Sequence, residues 1–408
     1  MKRDTSERAQ EQELFLDSAQ ALRGHIRSQV RQALQQVFEE EIRGLCGRHY
    51  QPDSDDHYRA GSAPSYVMVE GQRESMPRPR VRRRGQQGDS EEVQLKSWKL
   101  AQDTDEWEAA MMRAILCGVS TRKVPALRAS EVAGESRSSL SRLWQRKSIE
   151  LVEQMQQSDL SEMELVILML DGVVLSDGLV ATVALGIDSE GAKRVLGFRV
   201  GSSESAEVCK DLLSNLSRRG LSVPEDRRLL AVLDGSEALR KALLESYPNT
   251  LIQRCLVHKE RNLKGYLSQR HWGELSRLFS RLRKAQGADQ GKEALQAIEL
   301  FLADKNKGAR ASLEEAGEEL LALHRLNVPS SLNRSLLSTN CIENVFKNLR
   351  RHIGRVCRWR ESTDQADRWL ASGLILASEG FHKIAGHRDL PLLIKALQKQ
   401  GNENQKAA

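Results

Sequence analysis

ELVILML at 164–170, followed by Asp171-Gly172, then GLVATVALGI at 178–187 and AKRVLGFRV at 192–200, is the stretch whose reading decides the fold. Short apolar runs rich in Val, Ile and Leu, bounded by turn residues, read as buried strands. Asp177-Gly178 is a two-residue hairpin signal and Ser189-Glu190-Gly191 closes the next turn, so the three strands run antiparallel. Beyond them, AEVCKDLLSNLSRR (206–219) reads as a helix and RRLLAVL (227–233) as a strand. EALRKALLESY (237–247) reads as a second helix and TLIQRCLV (250–257) as a final strand. Helices connecting consecutive strands make those strands parallel.

Three antiparallel strands followed by two parallel ones predict an α/β fold with a ribonuclease-H-like mixed sheet core. From 259 strand character disappears, and WGELSRLFSRLRKA (272–285) and KEALQAIELFLAD (292–304) carry helical periodicity, so an all-helical insertion is expected. Its acidic run Glu314, Glu315, Glu318 and Glu319 reads as a solvated helix face. Upstream, residues 11–45 hold apolar residues near helical spacing. HYQPDSDDHYRAGSAPS is a polar connector, and YVMVEG with RPRVRRRG reads as short strands or an extended basic arm. WEAAMMRAILCGV, STRKVPALRASEVAG and ESRSSLSRLWQRK then have the rhythm of a helix-turn-helix, with Gly118 ending one helix and Ser136 opening the last. The expected layout is a helical region at 1–60, a basic strand or arm at 61–92, and a mainly helical DNA-binding region with the helix-turn-helix at 93–155. The first part of the core follows at 156–258, the insertion at 259–335, the second part of the core at 336–395 and a tail at 396–408.

The chain has 62 Lys and Arg against 56 Asp and Glu, a net charge of +6 that favours a polyanionic partner without deciding it. Its six cysteines lack the spacing of a disulfide framework, and MKRDTSERAQEQELF has no apolar signal core, so a reducing cytoplasmic setting is expected. No apolar run approaches the roughly 18 residues needed to span a bilayer, so no membrane partner is expected.

Asp171 directly follows LVILML and Asp234 directly follows LLAVL, each with Gly after it. An Asp-Gly after a strand is often only a turn. In an open α/β sheet, however, neighbouring strand ends form the ligand crevice, and two carboxylates there can share a divalent cation. Glu343 is the third candidate. STNCIENVFKNLRRHIG (338–354) offers an N-cap signal at Ser338–Asn340 and an apolar stripe of Ile342, Val345, Phe346, Leu349 and Ile353, which Glu343 borders. Lys347, Arg350 and Arg351 follow as cations for flanking phosphates, although Glu–Lys at i,i+4 is also a common solvated pair. Cys255 and His258 form C-x-x-H beside the Asp234 strand. Zinc would need four ligands, and no second pair stands at suitable spacing. Cys255 therefore reads as core, and His258 either faces the acidic crevice or is a satisfied structural histidine. Ser120, Arg122 and Lys123, with Arg137, Ser138, Arg142 and Lys147 on the last helix, suit phosphate and base-edge contacts.

LDG at Asp171, LDG at Asp234, RCLVHKERN and STNCIENVFKNLRR together resemble the Mutator-type family of bacterial insertion-sequence transposases over roughly residues 60–380. GVSTRKV (118–124) is similar to that family's helix-turn-helix entry and SSLSRLW (138–144) to its recognition helix. The resemblance implies a metal-binding catalytic triad of Asp171, Asp234 and Glu343 on a ribonuclease-H-like core, with Cys255 and His258 matching a C-x-x-H of the family. It implies Mg²⁺, with Mn²⁺ as substitute, and double-stranded DNA, both terminal inverted repeats and target, in the cytoplasm of a bacterium. Synapsis of two DNA ends suggests a homodimer. The rivals are a DNA-binding regulator with an inert core and a nuclease of the same fold without strand transfer.

Overall fold

The computed structural model describes residues 5–69, 72–85, 89–103, 105–120, 137–203, 205–360 and 362–407. The chain divides into two compact units, Met1–Trp144 and Gln145–Ala408. Among the described residues no helix is long and apolar enough to cross a membrane.

In the first unit, α1 (Thr5–Cys46) presents Val30, Leu34, Phe38, Ile42 and Cys46 at four-residue spacing to a core containing Val67, Met76, Val81 and Trp98. Residues four apart share one helix face, which is why this stripe packs as a unit. β1 (Gly47–Arg48) and β2 (Gln51–Pro52) pair briefly, and β4 (Tyr66–Val69) pairs with β5 (Gln72–Ser75). β3 (His57–Ala63), β6 (Arg78–Arg84) and β7 (Ser90–Val93) form an antiparallel sheet with β6 in the middle. The basic run RPRVRRR is thus the central strand of a sheet and not an arm. Val81 is buried, while Arg82 and Arg83 face Glu92 and Glu91 in register. The ion pairs formed across the two strands are diagonal, from Arg78 and Arg80 to Glu92. The Glu41 carboxylate of α1 accepts the Lys96 and Ser97 amides at 2.8 and 2.9 Å, which caps α2 (Lys96–Ala101) from another element. α3 (Asp105–Leu116) ends at Gly118, whose φ of +108° suits a residue without Cβ. The middle helix expected of the helix-turn-helix lies at 121–136, outside the described residues, and α4 (Arg137–Gln157) follows.

The second unit is built on β8 (Leu165–Ser176), β9 (Leu179–Asp188), β10 (Lys193–Gly201), β11 (Leu229–Leu233) and β12 (Thr250–Arg254). They form one mixed sheet in the order β10-β9-β8-β11-β12. β8, β9 and β10 are antiparallel, while β8, β11 and β12 are parallel. Ser176 pairs with Leu179 around Asp177-Gly178, and Gly178 has φ +72°, as a two-residue hairpin requires. Alternate residues of β11 feed two cores: Leu229, Ala231 and Leu233 face one, Leu230 and Val232 the other. On the first face lie α5 (Ala206–Arg218) and α6 (Glu237–Ser246).

The opposite face shares one apolar core with the helices that follow: α7 (Leu256–Tyr266), α8 (Trp272–Lys284), α9 (Gly287–Ala303), α10 (Lys307–Ala316), α11 (Ala322–Arg325) and α12 (Asn333–Leu336), then α13 (Asn340–Ile353), α14 (Gln365–Ser378) and α15 (Leu390–Ala407). Two details differ from the sequence reading. The final strand stops at Arg254, because Cys255 adopts an N-cap conformation and its Sγ accepts the His258 amide, so CLVH starts a helix. The acidic run is also only partly a wet face. Glu314 and Glu318 pair outward with Arg310 and Arg325, whereas Glu315 reaches the buried Arg254 and Lys259, and Glu319 takes Arg240.

Candidate active site

β11 pairs with β8 as far as Leu233 opposite Leu170; Asp171 is the next residue along β8 and Asp234 the first residue past the end of β11. Adjacent strands lie about 4.8 Å apart, close enough for two carboxylates to address one ligand. Asp171 is not at the end of its strand: β8 continues to Ser176 paired only with β9, and Asp171 marks where its other neighbour stops. It is 8% exposed, with Oδ1 accepting the Gly172 amide at 2.8 Å. Asp234 is half-buried, and its Oδ1 accepts the Ser236 amide at 2.9 Å, at the residue that caps α6.

Gly235 makes this turn possible. Its φ is +121°, and a Cβ there would stand 3.2 Å from Cζ and Nε of Arg254. Gly235→Ala is therefore expected to destabilise the unit by about 1–3 kcal/mol, read as a lower urea midpoint with an unchanged slope. A wild-type midpoint would show that the turn tolerates a side chain. Arg254 itself, 3% exposed and in register with Leu233, escaped the sequence reading. Its guanidinium Nη2 donates to both oxygens of Glu315, at 2.6 and 2.8 Å. A cation closing an apolar strand was the available signal, since charges are rarely buried unless paired.

α13 docks through the stripe foreseen in its sequence: Ile342, Val345, Phe346, Leu349 and Ile353 are all buried. Gly373 of α14 permits close approach, for a Cβ there would meet Leu349 Cδ1 at 2.7 Å. The start of α13 departs from expectation. Thr339 occupies the N-cap position without capping an amide, and its hydroxyl donates to Glu343 Oε1 at 2.9 Å. The same hydroxyl lies 3.3 Å from His258 Nδ1, and His258 Nε2 is 3.5 Å from Glu343 Oε1. A hydroxyl has one proton, and Glu343 is its nearest acceptor, so towards His258 it accepts. Cys255, fully buried, accepts at Sγ from the amides of His258 and Thr339, both at 3.4 Å.

Hydrogen bonding with Cys255 holds His258 above its ordinary value, at about 9, against the opposing effect of burial; the charges of Cys255, Glu343 and Asp171 add to the rise. Burial pushes the Cys255 thiol up, but hydrogen bonds from His258 and Thr339 outweigh it and hold the thiol below its usual value. His258 thus stands within electrostatic reach of both Glu343 and Asp171. Among the described residues, no three His, Cys, Asp or Glu side chains stand as a formed metal-binding group.

The remaining described candidates do not gather at one place on the chain's elements. Lys347, Arg350 and Arg351 are exposed on α13. Ser120, Ser138 and Arg142 are exposed in the first unit, and Lys147 pairs with Glu150 at 3.2 Å. Arg137 begins α4, while Arg122 and Lys123 lie outside the described residues.

The sequence profile described as "Transposase, Mutator family" matches residues 2–366. The chain belongs to that family. Over 171 residues, 41% of this chain, it is 30% identical to the transposase for insertion sequence element IS905 of Lactococcus lactis subsp. lactis (strain IL1403), and the match covers 41% of that relative. Over 247 residues, 55% of the chain, it is 29% identical to the transposase for insertion sequence element IS6120 of Mycolicibacterium smegmatis, covering 75% of it. The transposase for IS256 in transposon Tn4001 of Staphylococcus aureus is 28% identical over 254 residues, 60% of this chain and 63% of the relative. For this Mutator-family chain the contribution of the structure is Thr339, which the sequence offered only as part of a cap signal.

Proposed function

We propose that the chain is a transposase: it binds the terminal inverted repeats of an insertion sequence, cuts at their ends and transfers the 3′ ends to target DNA. Asp171, Asp234 and Glu343 would hold Mg²⁺, or Mn²⁺ in its place. The observation that carries this reading is the pairing of Leu170 with Leu233, with Asp171 next along β8 and Asp234 the first residue beyond β11. The sheet order, antiparallel then parallel, supports a ribonuclease-H-like core.

The donor set fits a hard divalent ion. All three candidates are carboxylates, and hard cations such as Mg²⁺ take oxygen ligands while keeping waters. When bound, the metal supplies charge neutralisation at the scissile phosphate and an activated oxygen nucleophile. β8 holds Asp171, the turn closed by the Ser236 amide holds Asp234, the buried stripe of α13 restrains Glu343, and His258 presents a cation near Asp171 and Glu343. Helix α13 also carries Lys347, Arg350 and Arg351 into solvent for phosphates flanking the cut. Synapsis of two ends would bring two copies of the chain together.

Replacing Lys347, Arg350 and Arg351 together by Ala is expected to weaken DNA binding for all sequences alike. The slope of log affinity against log salt should become shallower by about 3, roughly 0.9 per lost phosphate contact. An unchanged slope would remove α13 from the DNA path. The function itself is tested by incubating the purified chain and Mg²⁺ with DNA carrying the repeats that border its reading frame. The expected product is a 3′ end joined to target DNA. Cut but unjoined ends would make the chain a nuclease, and binding without cutting would make it a regulator.

A further inference from the structure

The end of the strand that leads into Asp234 and the helix that carries Glu343 meet at a single buried residue. The Cys255 amide donates to Leu233 O at 2.8 Å, the carbonyl immediately before Asp234. The Cys255 sulfur accepts the His258 amide, the third residue of α7, and the Thr339 amide at the head of α13. Beside it the Leu256 amide donates to Leu337 O at 2.9 Å. Both Cys255 and Thr339 are fully buried, so neither amide has water as an alternative partner. About 80 residues of helical insertion leave and return at this junction, and nothing in the chain's connectivity alone would keep its two ends in register.

We propose that Cys255 is a cap shared by α7 and α13, and that through it Thr339 sets the position of the Glu343 carboxylate relative to the two aspartates. This rests on the reading of Glu343 under Proposed function. Cys255 and Thr339 act as positioning residues that never touch DNA, and the C-x-x-H pair is a helix cap with no zinc in it. The geometry gives each its task. The sulfur orders two amides from different helices. The Thr339 hydroxyl donates to Glu343 Oε1 one turn along α13, and the His258 ring closes the set from the other side. Groups that orient a metal-binding side chain typically matter 10–100-fold in metal affinity or activity.

Two measurements test this. In the metal-free protein, hydrogen exchange of the His258 and Thr339 amides should be at least ~10-fold faster in Cys255→Ala, since each donor loses its acceptor, and close to wild type in Cys255→Ser, which keeps one. In the DNA-cleavage assay with Mg²⁺, Thr339→Val should lower kcat or raise the half-saturating Mg²⁺ by ~10–100-fold while KM for DNA stays put, and Thr339→Ser should restore both. Cys255→Val and Thr339→Ala serve if the first choices do not fold. Wild-type exchange in the folded Cys255 variant, or wild-type kcat and Mg²⁺ dependence in the folded Thr339 variant, overturns the proposal. So does stoichiometric zinc lost on Cys255→Ala. Glu343→Gln is the control: if it cleaves as well as wild type, the reading of Glu343 fails, while the exchange data still judge the cap on its own.

Discussion

Asp234→Asn is expected to cut the rate of end cleavage by at least ~10³-fold, about 4 kcal/mol of transition-state stabilisation, with DNA affinity unchanged. Asn matches the shape of Asp and can still accept the Ser236 amide that shapes the turn, so the fold should survive. What disappears is an anionic oxygen beside Asp171. Asp171→Asn and Glu343→Gln should behave alike, and a double substitution should be scarcely worse than a single one, because residues that act as one unit are not additive. Gel analysis of cleaved and joined products would read this directly. Near-normal joining by purified, folded Asp234→Asn would remove the mechanism.

Phe346→Ala should cost about 3–5 kcal/mol in a denaturant melt, the usual range for emptying a buried aromatic site. Phe346 is 3% exposed within the apolar stripe that packs α13 on the core, tightened where Leu349 lies against Gly373. Activity should fall along with stability, since Glu343 borders that stripe. Lys347→Ala, on the exposed side of the same helix, should stay within about 0.5 kcal/mol of wild type. If Phe346→Ala were equally mild, α13 would be held by something other than its apolar face.

The central sheet was legible because its signals are local. LVILML and LLAVL are buried on both faces and read as continuous apolar runs, and Asp177-Gly178 announces its hairpin. The α13 stripe was legible for the same reason, all five of its apolar positions being buried. What escaped depends on partners distant in the chain. Cys255 lies 84 residues from Thr339, and no periodicity reveals that one sulfur serves both helices. CLV after TLIQR looks like more strand until His258 supplies an amide for that sulfur to cap. Similarly, Glu315 belongs to an acidic run that any surface helix could carry, and only the buried Arg254, 61 residues away, turns it inward.

The most direct test is a structure of the chain on its DNA ends with Mn²⁺, located by anomalous scattering. The account requires manganese bound by the carboxylates of Asp171, Asp234 and Glu343, with the Thr339 hydroxyl still donating to Glu343. Manganese seated elsewhere, or bound without the Glu343 carboxylate, would contradict it.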